Sequence, residues 1–289
     1  MYNVIVNPYS GGGKKKKLCA RALARFAALG KEVCVHTAEG RGQIATLAHE
    51  LSAEGHDLVV VGGDGSLHDA LNGMTNFENC ALGLIPAGTG NDFAAAAGIS
   101  EVPEEAVDLI AGGQAKYTEF MQFPGGIRGM NAAGTGIDVE ILRRCRRNRL
   151  FRGKTGYLFS LIVSLLKFKN YELTARFNGK EEHFSALIAC VGNGYRFGGG
   201  IRMCPEAVLG DGLLDMVVVD DVKKSRMIPA FAKLMKGRIL EEKFTRFERA
   251  EHVEIVPERP LTVQIDGELY DGLPFVVDVV KDKLRMYRK

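Results

Sequence analysis

Two glycine-rich turns, Val61-Gly62-Gly63-Asp64-Gly65-Ser66 and Pro86-Ala87-Gly88-Thr89-Gly90-Asn91-Asp92, hold the residues of this chain best suited to phosphate chemistry. Backbone without side chains leaves amide N–H groups open to phosphate oxygens, and each turn opens a helical segment whose N-terminus favours an anion. Asp64, inside the first turn, adds a carboxylate, the oxygen donor that a hard divalent cation prefers. Amides for phosphate beside a carboxylate for a cation point to a metal-bound nucleotide. Gly-Gly-Asp-Gly is also ordinary turn chemistry, so the weight rests on two such turns in corresponding positions. A third turn, Asn7-Pro8-Tyr9-Ser10-Gly11-Gly12-Gly13-Lys14, is not a P-loop, because Pro8 and Lys15 stand where that motif needs Gly and Ser or Thr. It can still present amides to a phosphate. The lysines Lys14 to Lys17 suit a solvated helix face and phosphate attraction equally well.

The elements that position these turns follow from periodicity. Tyr2 to Asn7, Glu32 to Thr37, Asp57 to Val61 and Ala81 to Ile85 read as short buried strands. Between them come helical faces, one with Leu18, Ala22, Phe26 and Leu29, another with Ile44, Leu47, Ala48 and Leu51. Alternating strand, turn and helix predicts an α/β domain, a doubly wound, mostly parallel sheet covered on both faces. The glycine turns should collect at one sheet edge, where such folds bind ligands. From Gly125 the grammar changes. Tyr171 to Phe177 and His183 to Val191 are β runs around Asn178-Gly179, a hairpin signal. Leu213 to Val219, His252 to Val256, Leu261 to Ile265 and Phe275 to Val280 follow, with a helical stretch from Arg226 to Met235. A largely antiparallel, β-rich second domain is therefore expected. The boundary is set at Phe123-Pro124-Gly125-Gly126, giving domains 1–124 and 125–275, with 276–289 open to rejoining the first.

Composition narrows the function classes. A chain of 289 residues with a formal net charge of +3 is not basic enough overall for a general nucleic-acid binder. Its positive charge is local: Arg143, Arg144, Arg146, Arg147, Arg149, Arg152, Lys154, Lys167 and Lys169 lie between Ile141 and Tyr171 with no acidic residue among them. Those arginines suit an anionic bilayer surface, and the segment Arg143 to Lys154 is expected to dock there. The apolar run Tyr157 to Leu166 reads as a core helix and is too short to span a membrane. Six cysteines without metal spacing, and no secretory signal at the N-terminus, predict a cytoplasmic protein with reduced thiols.

Asn-Pro-x-Ser-Gly at Asn7, Gly-Gly-Asp-Gly-Ser-Leu at Gly62 and Pro-x-Gly-Thr-Gly-Asn-Asp-Phe at Pro86 together resemble the catalytic domain of the diacylglycerol kinases, in particular the small bacterial lipid kinases. The similarity continues through Gly192-Asn193-Gly194, Gly198-Gly199-Gly200, Pro205-Glu206-Ala207, Asp211-Gly212-Leu213-Leu214-Asp215 and Ile265-Asp266-Gly267-Glu268, so it covers nearly the whole chain. The resemblance implies an NAD kinase/diacylglycerol kinase-like fold and an ATP- and Mg²⁺-dependent lipid kinase converting diacylglycerol to phosphatidic acid. It places ATP contacts on Asn7, Pro8, Tyr9, Ser10, Gly11, Thr37, Gly62, Gly63, Asp64, Gly65, Ser66, Leu67, His68 and Thr89. It also implies that Asp64 meets catalytic Mg²⁺ and that Glu268 is the general base. A structural Mg²⁺ would be held by the Asp211 carboxylate with the Val208 and Leu213 carbonyls.

Ser66 replaces a commoner Thr, His68 and Asp69 stand where Asn and Glu are usual, and Gly210 occupies an often acidic position. The partners expected are a lipid substrate at an anionic membrane surface, on the inner face of the membrane, and no nucleic acid; a homodimer is left open. Two other readings stay in view. One is an NAD kinase-like phosphotransferase, disfavoured because the Asn-Glu pair that such enzymes use for the ribose is not found at Pro86 to Phe93. The other is a non-catalytic lipid or nucleotide sensor of the same fold.

Overall fold

The computed structural model describes residues 1–7, 13–40, 42–147 and 168–289. Its first part runs β1 (Tyr2–Val6), α1 (Gly13–Ala28), β2 (Val33–Thr37), α2 (Gln43–Ala53), β3 (Asp57–Gly62), α3 (Asp64–Gly73), β4 (Ala81–Pro86), α4 (Asp92–Ala96), α5 (Pro103–Ala111) and β5 (Ala115–Gln122). Strands β1 to β4 are parallel in the order β2-β1-β3-β4. The chain thus winds outward in both directions from the β1/β3 pair, the switch point at which such sheets leave a crevice. Register brings the strand ends together: Val6 lies beside Thr37 and Val61, and Gly62 beside Pro86. Leu58 to Val61 and Leu82, Leu84 and Ile85 are buried, as strands covered on both faces require. In α2 the residues turned inward are Ile44, Ala48 and Leu51, the stripe that the periodicity predicts.

The second part contains β6 (Arg128–Gly129), β7 (Ala132–Gly136), α6 (Ile137–Arg147), β8 (Tyr171–Phe177), β9 (Lys180–Ala186), β10 (Ile188–Gly192) and β11 (Leu214–Val219). Then come α7 (Lys224–Met235), β12 (Thr245–Ala250), β13 (His252–Pro257), β14 (Thr262–Ile265), β15 (Glu268–Asp271) and β16 (Phe275–Tyr287). Six of these strands form an antiparallel sheet in the order β12-β11-β10-β7-β14-β15. Fold class is therefore as the sequence predicts, a parallel α/β sheet followed by antiparallel β structure. Asn178 and Gly179, at φ 49° and 72°, make the two-residue turn of the β8–β9 hairpin.

The run His183 to Val191 is not one strand. It divides at Leu187 into β9, which pairs with β8 in the first sheet, and β10, which pairs with β11 and β7 in the second. Leu187 donates its N–H to Val219 and accepts that of Ile137, so the chain changes sheets without leaving these groups unpaired. Strand β16 is longer than its sequence pattern indicates. Its first residues pair with β13, while Arg285 and Met286 lie parallel to Ala81 and Leu82 of β4. One continuous strand thereby joins the parallel and antiparallel halves of a ten-stranded sheet.

Candidate active site

The two glycine turns touch. A Cβ on Gly63 would lie 2.8 Å from the Gly88 Cα, and one on Gly88 would lie 2.6 Å from the Gly63 Cα. Only glycine at both positions lets the β3 and β4 exits meet. Gly63 precedes α3, and Asp64 occupies its first turn. The Asp64 carboxylate reaches across to accept the N–H groups of Asp92 (3.1 Å) and Phe93 (3.0 Å), capping α4. Asp92 in turn accepts the N–H of Gly199 at 2.7 Å and stands 3.2 Å from Arg196, so the second half of the chain is fastened to the first. Gly90 keeps the space between the two carboxylates clear.

A third carboxylate completes the cluster. Asp266, at the β14–β15 turn, has φ 50° and accepts the N–H groups of Met130 (2.7 Å), Asn131 (2.8 Å) and Ala132 (3.1 Å). It also bonds His68 Nδ1 at 3.1 Å, while His68 Nε2 lies 2.8 Å from the Tyr270 hydroxyl. Burial opposes a charge on His68, but the bond to Asp266 and its charge outweigh this and raise the imidazole pKa. The Asp64 pKa is pushed up by burial and further by the charge of Asp266. That of Asp92 is pushed up by burial and by the charge of Asp64. Mutually repelling acids withdrawn from solvent in this way gain when a cation arrives.

These acids close one end of a cavity of ≈ 250 Å³. Asp64, Asp92 and Asp266 line that end, and the walls beyond are apolar, among them Ile141, Leu187, Phe197, Met203 and Phe231. Asp138, in the first turn of α6, and Gln264 also border it; burial pushes the Asp138 carboxyl up to about 7. A small polar head and an apolar tail are the complementary shape.

The residues nominated from sequence fall into groups. Gly62, Gly63, Asp64, Gly65 and Ser66 form the β3–α3 turn, with the Ser66 hydroxyl accepting Asn7 Nδ2 at 3.2 Å. Thr37 and Thr89 are exposed near the same sheet edge. Pro8, Tyr9, Ser10 and Gly11 lie outside the described residues, as do Arg149, Arg152, Lys154, Lys167 and the run Tyr157 to Leu166. Leu67 is a core side chain whose N–H is used by the Gly63 carbonyl. His68 is buried and turned toward Asp266 and Tyr270, so both ring nitrogens face the β14–β15 hairpin. Glu268 opens β15 at the cavity rim, half-exposed, with Arg146 at 2.9 Å. The neighbouring arginines are engaged as well, Arg143 with Asp271 and Arg144 with Glu140, which reduces what they offer a membrane.

Asp211 accepts the N–H of Leu213 at 3.0 Å, and its second oxygen lies 3.9 Å from Arg249; Val208 is exposed. The surrounding loop is held from below by Glu119, which takes the N–H groups of Gly210 and Gly212. Among the described residues no three His, Cys, Asp or Glu side chains form a metal cluster. The acids at the cavity end nevertheless suit a cation that Mg²⁺ chemistry would share with nucleotide phosphates, because that ion commonly takes one or two carboxylates and completes its shell with phosphate and water.

Sequence reasoning missed Asp92, Asp138 and Glu119, and read Asp266 only as a turn residue. Asp92 had a signal, an acid at a helix start directly after a glycine turn. Glu119 had none, since its role depends on glycines 91 and 93 positions away in the chain.

Comparisons with known proteins agree with the fold. A profile described as the diacylglycerol kinase catalytic domain matches residues 1–123, and one described as the YegS C-terminal NAD kinase beta sandwich-like domain matches residues 131–288. A protein named diacylglycerol kinase from Mycobacterium tuberculosis is 30% identical over 292 residues, covering 98% of this chain and 94% of its own. A probable YegS-like lipid kinase from Xanthomonas euvesicatoria is 32% identical over 254 residues, 82% of this chain and 81% of its own. The crystal structure of a putative diacylglycerol kinase from Bacillus anthracis shares the fold, with a TM-score of 0.82 at 24% identity over 100% of this chain and 97% of that one.

Proposed function

The chain belongs to the family of diacylglycerol kinases and YegS-like lipid kinases, and from that premise we propose that it is an ATP- and Mg²⁺-dependent kinase of a membrane lipid alcohol, diacylglycerol giving phosphatidic acid. The observation that carries this reading is the cavity whose acidic end abuts the glycine turns and whose remaining walls are mostly apolar. Nucleotide phosphates would lie on the amides of Gly62 to Ser66 and at Thr89, beyond the β1/β3 switch point. Bound Mg²⁺ would offset phosphate charge beside Asp64. The lipid tail would occupy the apolar walls, bringing its hydroxyl to the acidic end.

The chemistry asked of the chain is modest. As the hydroxyl oxygen bonds to the γ-phosphorus, the bond to the β–γ bridging oxygen breaks, ADP leaves, and the hydroxyl proton passes to a carboxylate. Glu268 is the proposed acceptor, held at the rim by Arg146 directly after cavity-lining Gly267. Asp64, Asp92 and Asp266 orient the site and are each already committed to backbone N–H groups. An NAD kinase-like activity is the second reading, because of the sandwich-like C-terminal half. An apolar cavity is poorly matched to a polar dinucleotide acceptor, which favours the lipid.

The test is incubation of the purified protein with γ-labelled ATP, Mg²⁺ and a total lipid extract, with NAD in a parallel sample. Label is expected in a chloroform-extractable phospholipid. Label in the dinucleotide alone would transfer the assignment to the second reading, and label in neither would leave a binding protein.

A further inference from the structure

The helix α7 separates the cavity from solvent by a single layer. Its inner side chains Met227, Ala230, Phe231 and Leu234 line the cavity. On the outer side Ile228 is 79% exposed, more than any other large hydrophobic residue described, and Met235, two turns on, is 45% exposed. Ala232 and Pro229 are exposed with them. A monomeric soluble helix ordinarily turns such residues inward.

The helix itself and its flanking residues Lys223 and Lys236 carry only basic charges, with Asp220 and Asp221 lying beyond its N-terminal end. Lys223, Lys224, Arg226 and Lys236 are exposed, and none has an ion pair among the described residues. Lys233 and Arg238, by contrast, are neutralised by Glu241 and Glu242. An apolar centre ringed by unpaired cations is the pattern of an interfacial helix on an anionic bilayer. Apolar residues enter the headgroup boundary, and the cations meet lipid phosphates.

We propose that the outer face of α7, centred on Ile228 and Met235, is the surface by which the protein seats on an anionic membrane, with the cavity one helix away from the bilayer. The proposal rests on the lipid kinase reading for its purpose but not for its measurement. It moves the docking surface away from Arg143, Arg144 and Arg146, whose guanidinium groups are engaged within the protein. A lipid diffusing in the leaflet would then reach the cavity past Met227 and Leu234 without crossing water.

Sedimentation with phosphatidylcholine vesicles, with and without phosphatidylglycerol, tests this without turnover. I228E/M235E should bind anionic vesicles at least about tenfold more weakly than wild type, since it removes apolar insertion and adds repulsion. K224E/R226E should lose binding at about 0.1 M salt, whereas wild-type binding should itself weaken at about 1 M. Both sets lie on the surface, so melting temperature should not change. Phosphorylation of a short-chain, water-soluble diacylglycerol should persist, while phosphorylation of diacylglycerol in vesicles falls. Wild-type sedimentation by I228E/M235E would overturn the proposal. So would a halving of its solution mass, which would assign the face to a second copy of the chain. If vesicle binding depends on α7 but no lipid is phosphorylated by wild type, the kinase reading fails and the docking surface stands.

Discussion

At the scale of single residues, Glu268 and Asp64 have separable expected roles. Glu268→Gln keeps shape and hydrogen bonding but cannot take the hydroxyl proton, so turnover should fall by about 100- to 10,000-fold with ATP affinity near wild type. Turnover at saturating ATP and lipid, beside equilibrium nucleotide binding, checks this; a fall of less than about tenfold would move the role to Asp64. Asp64→Asn retains an oxygen to cap α4 but loses the charge beside Mg²⁺. It should stay folded and lose activity, and near-wild-type turnover at saturating Mg²⁺ would remove the carboxylate from the metal.

Asp138 makes a pH prediction. Burial lifts its carboxyl from the ordinary 3.8 to about 7. A raised folded-state value means that the neutral form is the stabilising one. The contribution is complete below the unfolded value and is lost as pH rises through about 7. Facing it are Gly134 of β7, Gln264 of β14 and Cys190 of β10, whose thiol burial pushes well above its usual range and keeps neutral. Asp138→Asn cannot ionise, so the wild-type melting temperature should drop relative to this variant as pH is raised from about 5 to 8. A constant difference across that range would mean that the carboxyl does not titrate there.

At the scale of elements, the glycines of the turns divide into two kinds. Gly88 meets the Gly63 backbone, so Gly88→Ala must push β3 and β4 exits apart and should cost about 1–3 kcal/mol or more in denaturant unfolding. Gly65 has open space where a Cβ would stand and lies in the first turn of α3. Gly65→Ala should keep or slightly raise stability, by up to about 1 kcal/mol, while weakening nucleotide binding if a phosphate lies on its N–H. Equal destabilisation by the two substitutions would refute this distinction. The elements also show where reading from sequence stopped. The glycine turns, the stripe on α2 and the Asn178-Gly179 hairpin are local patterns. The break at Leu187 is not, because one apolar run serves either sheet equally well and only the partners Val219 and Ile137 decide where it divides.

At the scale of the whole molecule, the two halves are bound by β16, by the Asp92 to Gly199 bond and by His68 meeting Asp266. The Asp211 loop lies against the same junction, with Glu119 reaching it from β5. If Mg²⁺ is held by Asp211 with the Val208 and Leu213 carbonyls, a chelator should lower the wild-type melting temperature to that of Asp211→Ala, by a few degrees for a contribution of about 1 kcal/mol. Identical melting with and without chelator would leave the loop held by Glu119 alone.

The sequence by itself determined the family, the parallel and antiparallel halves, and the glycine turns with Asp64, because each is written in residues adjacent along the chain. Motif spacing, strand alternation and turn chemistry require no knowledge of distant partners. Tertiary structure alone decided that Asp64 caps α4, that Asp266 gathers three backbone N–H groups and His68, and that Glu268 is paired with Arg146. It also decided that α7 stands between an apolar cavity and solvent with Ile228 facing outward. Those facts depend on contacts between residues far apart in the chain, and a side chain's burial and electrostatic surroundings are properties of whatever folding brings beside it.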